Sequence, residues 1–331
     1  MTDNLVSAKR LSKIFRVKRK KEGLLNIIGS VLNPDYHDVA AVKEISFSIA
    51  KGDIVAFIGP NGAGKSTTVK MLTGILFPSS GVVSVCGMSP TSEREKLAFK
   101  IGAVFGQKSQ LWYHLPAVDS FKLLAKIYEL DHNAFQNRLN FLLDFFEIHR
   151  FSDTPVRKLS LGQRMRCELV ASLLHKPEVL FLDEPTIGMD IVVKQQVRDL
   201  IRFFYREEHV TVFLTSHDAG DIADLANRAI IINKGELLQD CSIADLRTKY
   251  LRTKTVRLML TDASDFKFDG VRVIEKSKHQ IVLETAEDTL QLDKLLRYTI
   301  SNYEVQDIVI EPPPMEEIIA TIYKGFSNEP A

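Results

Sequence analysis

Apolar residues along this chain fall into two textures. The continuous run at 54–58 and the largely apolar stretches at 179–182, 210–215 and 229–232 have the length of a strand. Such runs predict strands buried on both faces, the setting of a parallel sheet covered by helices. From residue 108 to about 155 the texture changes. Leu123, Leu124, Ile127 and Tyr128, then Leu139, Leu142, Leu143 and Phe146, recur at helical spacing and predict a helical insertion. A further helix is predicted from near Ser160 to about His175, stopped ahead of Pro177. Strands alternating with helices imply a doubly wound α/β core.

At the start, residues 5–15 predict one strand and 42–49 another, the second followed by a turn at Lys51-Gly52-Asp53. Residues 16–39 between them read as an insertion. It holds a basic run (Arg16, Lys18, Arg19, Lys20, Lys21) and then residues 24–32, a short amphipathic helix ended by Asn33-Pro34-Asp35. Past residue 252 the pattern restarts. Short strands are predicted at 255–261, 271–274, 280–285 and 305–310, with helices at 290–300 and 315–323. The expected organisation is a core domain over 1–250, its helical part at about 108–157. A small C-terminal α/β domain follows over 251–326, with a frayed tail at 327–331.

Composition narrows the function classes. The 331 residues are 45% hydrophobic and 26% charged, which is globular rather than disordered. A formal net charge of +1 gives no support to a generally basic nucleic-acid binder. No run of about 20 apolar residues occurs, so no membrane span is expected. The Met1-Thr2-Asp3-Asn4 start lacks the pattern of a secretory signal. Three cysteines without a CxxC pair exclude a disulfide scaffold or a cysteine-rich zinc module and fit a reducing compartment.

Chemistry enters at Gly59-Pro60-Asn61-Gly62-Ala63-Gly64-Lys65-Ser66-Thr67, which matches G-x-x-x-x-G-K-[ST] directly after a predicted strand. A polyphosphate needs several N–H donors converging on its oxygens. Glycines let the backbone curl that closely, and the helix that follows presents its positive end. Lys65 is placed to neutralise the β- and γ-phosphates, and Ser66 to hold magnesium. Leu180-Phe181-Leu182-Asp183-Glu184 ends a buried strand in two carboxylates, at the edge where open α/β sheets place ligands. Asp183 is expected to bind magnesium through its water shell, and Glu184 to polarise an attacking water.

Further motifs make the chain resemble the ATP-binding-cassette (ABC) ATPases. Leu159-Ser160-Leu161-Gly162-Gln163 is similar to that family's signature, usually Leu-Ser-Gly-Gly-Gln. Gln107 matches the Q-loop, Gly188-Met189-Asp190 looks like the D-loop, and His217 looks like the switch histidine. Phe15 sits where an aromatic usually stacks on adenine, with Tyr36 as its rival. The resemblance covers about residues 5–245. It implies a P-loop NTPase fold of the ABC type with a helical insertion, with ATP and Mg2+ as cofactors. The roles it implies are catalytic for Glu184, His217 and Lys65, and metal-holding for Ser66, Gln107 and Asp183. Nucleotide binding is implied for Phe15, the loop from Gly59 to Thr67, Gln107, Ser160, Gly162, Gln163 and Asp190. Leu161 departs from the pattern by replacing the first signature glycine, which bears on packing at a dimer seam.

In that family the signature of one copy faces the phosphate loop of another. The resemblance therefore implies a homodimer or a pair with a related ABC ATPase subunit, closed by ATP. The Leu161 variant, the Gly-Met-Asp segment and the C-terminal extension resemble the ATPase subunits of bacterial drug, lipid and polysaccharide exporters, nearest the daunorubicin-exporter group. That implies separate integral membrane permease subunits and a peripheral place on the cytoplasmic face of the membrane. The alternative class is a non-transport ABC ATPase acting on nucleic acid or ribosomes. Those proteins usually carry coiled coils, zinc modules or two cassettes, none of which is seen here, so no nucleic-acid partner is expected. Trp112 and Tyr113 are either core or part of a surface that grips the permease. Residues 16–33 either touch anionic lipid or a permease helix, or form a solvated loop and a helix packed on the core.

Overall fold

The computed structural model describes residues 4–18, 36–106, 109–216, 219–250, 253–286, 289–311 and 315–327. Contacts divide the chain into two compact units, Met1–Cys241 and Ser242–Ala331.

The first unit opens with two long antiparallel strands, β1 (Asn4–Lys18) and β2 (Tyr36–Ala50). Next come β3 (Ile54–Ile58), α1 (Lys65–Leu72), β4 (Ser80–Val85), α2 (Arg94–Ala98) and β5 (Ile101–Phe105). The helical part holds α3 (Ala117–Ile127) and α4 (His132–Phe145), and α5 (Leu161–Leu173) leads back to the sheet. The chain then alternates through β6 (Val179–Asp183), α6 (Ile191–Glu208), β7 (Thr211–Ser216), α7 (Ala219–Leu225), β8 (Arg228–Asn233) and β9 (Glu236–Ser242).

Among the described residues, these strands form a six-stranded sheet ordered β5-β6-β7-β3-β8-β9 and a three-stranded antiparallel sheet ordered β2-β1-β4. From β5 to β8 every pairing is parallel. β3, β6 and β7 are buried at every position, as their largely apolar sequences favour, and the polar ends Asp183, Thr215 and Ser216 are buried with them. Phe213 of β7 packs on Phe57 and Phe181 of its neighbours, with ring centroids 5.2 and 5.8 Å away. Phe47 of β2 reaches the same rings, 5.8 Å from Phe57, and so joins the two sheets into one core. β7 lies between β3 and β6, so the end of β7 separates the phosphate loop from the acidic pair.

One expectation shifts. The first strand runs on to Lys18, and Ile14–Lys18 pair with residues 36–40 in an unbroken register. The two ends of the expected insertion 16–39 are therefore strand, an exposed hairpin arm. Arg19, Lys20, Lys21 and the helix expected at 24–32 lie outside the described residues. In α3 the buried face is Ala117, Ser120, Phe121, Leu124 and Ala125, while Leu123 and Ile127 are 41% and 57% exposed. The helix forms where the spacing predicts one, with Leu124 on its buried face.

The second unit holds α8 (Ile243–Tyr250), β10 (Thr253–Leu260), β11 (Arg272–Lys276), β12 (Gln280–Ala286), α9 (Thr289–Asn302), β13 (Val305–Glu311) and α10 (Met315–Ser327). Its sheet, ordered β11-β12-β10-β13, is antiparallel throughout. One face buries Leu258, Ile281 and Leu283 with Leu295 of α9. α10 buries Met315, Ile318 and Ile322 and packs on α8. No helix among the described residues is long and apolar enough to cross a membrane.

α5 carries a buried carboxylate, Glu168, only 4% exposed. It accepts hydrogen bonds from Ser109 Oγ and from the Gln110 backbone N–H (3.2 Å), and so ties the segment after Gln107 to the helix after the signature. Burial pushes its pKa up, against the pull of these donors. A raised carboxyl pKa means the folded state favours the neutral acid. That contribution is full below the ordinary value of 4.5 and is lost as pH rises through the folded value. Glu168→Gln mimics the neutral acid, so its stability relative to the wild type should increase as pH rises above about 4.5. Urea midpoints across a pH series check this; a constant difference contradicts it.

Candidate functional site

The phosphate loop connects β3 to α1. Gly64 caps α1 with φ +106°, and a β-carbon there would come within 2.5 Å of the Ala41 carbonyl oxygen, so glycine alone fits. The loop therefore lies directly on β2. Ala63 is buried, and its carbonyl accepts from the Gly235 N–H at 3.1 Å. The Lys65 ammonium is 5% exposed and donates to the Gly59 and Pro60 carbonyls at 2.7 and 3.4 Å. It also lies 3.4 Å from Glu184 Oε1.

Asp183 ends β6 beside this loop. Its Oδ1 accepts from Ser66 Oγ at 3.0 Å and from Thr215 Oγ1 at 2.7 Å. The Thr215 hydroxyl works in both directions, because it also accepts from the Glu184 N–H at 3.0 Å. Glu184 has φ +54°, a left-handed conformation that persists only where the surroundings impose it. Ser66 Oγ and the Asp183 carboxylate are adjacent hard oxygen donors, which suits Mg2+.

These groups line one cavity of 620 Å³. Its walls are Pro60, Asn61, Gly62, Gly64, Lys65, Ser66 and Thr67 of the loop, Asp183 and Glu184, Phe105 and Gly106 at the end of β5, and Ala41. Gly106 donates to the Asp183 carbonyl at 3.0 Å. Gln107 and His217 themselves lie outside the described residues.

The signature residues are elsewhere in the chain's own geometry. Ser160 is exposed and caps α5: its Oγ accepts from the Gln163 N–H at 3.2 Å, and Gln163 Oε1 accepts from the Ser160 N–H at 3.0 Å. A β-carbon on Gly162 would lie 2.9 Å from Val193 Cγ1, so the helix end rests on the start of α6. Asp190 caps α6, accepting from the Val193 N–H at 2.9 Å. Leu161 is half-buried beside Gly188, where a β-carbon would meet its Cδ2 at 3.0 Å. Among the described residues, Ser160, Gly162, Gln163 and Asp190 are not part of the cavity wall.

The two adenine candidates are separated by the arm. Phe15 pairs with Val39, whereas Tyr36 pairs with Lys18, an odd number of residues away, so their side chains project from opposite faces. Lys13 lies over the Phe15 ring and Arg16 over the Tyr36 ring, at 5.3 and 4.7 Å. At most one of these rings faces a given nucleotide. Trp112 and Tyr113 are 40% and 52% exposed, which removes the core reading for them. Cys167 is fully buried and its thiol is pushed up to about 12, as packing rather than reactive cysteine requires. Sequence reasoning missed Thr215, the hydroxyl that joins both carboxylate residues. Its signal was a Thr-Ser pair closing an otherwise apolar strand.

The ABC transporter family profile matches residues 42–187, the stretch that carries the phosphate loop, signature and acidic strand. The chain is 30% identical over 200 residues to the ABC transporter ATP-binding protein NatA of Bacillus subtilis, covering 60% of this chain and 81% of that one. The chain belongs to the ABC transporter family. Other ABC relatives agree: the bacitracin transport ATP-binding protein BcrA of Bacillus licheniformis is 30% identical over 69% of this chain and 72% of its own. The linearmycin resistance ATP-binding protein LnrL of Bacillus subtilis is 27% identical over 87% and 94%. A dimeric, post-hydrolysis ATP-binding cassette, MJ0796 bound to ADP and Pi, superposes with a TM-score of 0.61 at 23% identity, over 72% of this chain and 98% of that one. At that identity the match establishes the ABC cassette fold.

Within this ABC fold Thr215 is a structural joint as much as a site residue. Thr215→Val keeps the shape but leaves the Glu184 N–H and Asp183 Oδ1 each one partner short. A loss of about 1–3 kcal/mol is expected, read as a lower urea midpoint; an unchanged midpoint contradicts it.

Proposed function

We propose that this chain is the ATP-binding and ATP-hydrolysing subunit of an exporter-type ABC transporter, dimerising on ATP to drive separate integral membrane permease subunits. The observation that carries this reading is the meeting of Lys65, Ser66, Asp183 and Glu184 at one cavity. Drug-like cargo is supported by the names of the bacitracin-transport and linearmycin-resistance relatives. A peripheral position on the cytoplasmic face follows from working through a permease. Exposed Arg16 beside Tyr36 supports an added contact of residues 16–33 with anionic lipid.

Loop N–H groups and Lys65 bind the β- and γ-phosphates, and binding draws the ammonium from its carbonyl partners toward phosphate oxygen. Ser66 and Asp183 would hold Mg2+, which would supply neutralisation of phosphate charge. Glu184 and His217 orient a water for in-line attack on the γ-phosphorus, Glu184 polarising it. Attack transfers the phosphoryl group to water and releases ADP and phosphate. Ser160, exposed at the capped start of α5, completes the site from a second copy, where the helix end favours negative charge. ATP thereby joins two chains, and loss of the γ-phosphate releases them.

Glu184→Gln should bind ATP normally and turn over about 10²–10³-fold more slowly, measured by phosphate release. Turnover at the wild-type rate would require another base. Ser160→Arg should abolish the ATP-dependent dimer in light scattering, and an undiminished dimer would remove the shared site.

A further inference from the structure

Asp221 sits in the first turn of α7 with no solvent exposure. Its Oδ2 accepts from Thr186 Oγ1 and from Ser216 Oγ at 3.0 Å, and its Oδ1 accepts from Arg198 Nε at 2.8 Å. A buried carboxylate is costly unless it is paired and hydrogen-bonded, and here both conditions hold. The donors come from three segments that carry the proposed chemistry. Thr186 is two residues past Glu184. Ser216 ends β7, between Thr215 and His217 in sequence. Arg198 belongs to α6, the helix capped by Asp190.

Packing of α6 on α7 does not by itself require these contacts. Arg198 Nη1 also binds Asp224 Oδ2 at 3.0 Å, and Arg202 donates to the Asp224 carbonyl through Nε and Nη2 at 3.3 and 3.0 Å. Those bonds already join the two helices. The bonds to Thr186 and Ser216 run the other way, toward the edge of the sheet where Glu184 and Thr215 meet. Glu184 needs such support, because its left-handed backbone is held only by what surrounds it.

We propose that Asp221 is a positioning residue for ATP hydrolysis, locking the loop after Glu184, the strand end before His217 and the helix after Asp190 into one frame. The proposal rests on the ATPase reading above. It acts through Thr186 and Ser216 and touches no substrate.

The test uses the full chain with Asp221→Asn and Thr186→Val. The second variant deletes one hydroxyl and leaves the Asp221–Arg198 pair intact, so it remains informative if the first fails to fold. Phosphate release gives kcat, a fluorescent ATP analogue gives the nucleotide Kd, and thermal melting reports the fold. Small misplacements of a catalytic group reach about 10²-fold in rate. Thr186→Val should therefore lower kcat about tenfold or more, with Kd near the wild-type value and the melting temperature lowered only by the cost of one buried hydrogen bond. A kcat near wild type in Thr186→Val overturns the proposal. So does a kcat loss that comes together with lost nucleotide binding or a collapsed melting temperature, which marks general support of the fold. A wild-type chain that releases no phosphate overturns the ATPase reading itself, an outcome separate from either of these.

Discussion

A carboxylate at the end of a fully buried strand has to be satisfied by what lies beside it, and Asp183 organises the whole edge of the sheet. β6 contributes the acid, β7 the Thr215 hydroxyl, and α1 the Ser66 hydroxyl. None of this would converge in an antiparallel arrangement. Parallel pairing from β5 to β8 sends the C-terminal ends of β3, β6 and β7 to one side, and the order β6-β7-β3 sets Thr215 between loop and acid. The aromatic packing of Phe47, Phe57, Phe181 and Phe213 fixes the strands beneath this edge. Chemistry and core are thus two ends of the same strands.

Much of this is legible in the sequence. Largely apolar runs mark the central strands because a strand covered on both sides has no polar face to show. The phosphate loop is legible because its glycines answer a backbone demand, seen at Gly64 where Ala41 leaves no room for a side chain. The second unit was readable strand by strand from short alternating segments. What escaped are contacts made at a distance in sequence. Thr186 and Asp221 stand 35 residues apart, and Ser109 and Glu168 stand 59 apart. Periodicity is blind to such pairs. The hairpin arm escaped for a related reason: charged strand ends pair through the backbone, which leaves no mark in the side chains.

The signature departure at Leu161 acquires a physical meaning from its neighbours. The side chain lies against Gly188, and Gly162 beside it lies against Val193 at the start of α6. The beginning of α5 and the beginning of α6 are therefore packed as one piece, each capped by its own side chain, Ser160 and Asp190. An extra hydrophobic group at this point adds to the internal seam and leaves the outward serine in place. Glu168 connects the other side of α5 to residues 109 and 110, so this helix is held from both directions.

Ser160 spends only a lone pair on its helix. Capping uses the oxygen as acceptor from the Gln163 N–H, and a hydroxyl keeps its own hydrogen when it accepts. That hydrogen still turns about the Cβ–Oγ bond, away from the sector the Gln163 N–H occupies, so closing the helix end leaves the serine a donor for whatever lies outside it. Threonine would keep both uses with an added methyl, whereas alanine would forfeit the helix closure and the donor in a single step.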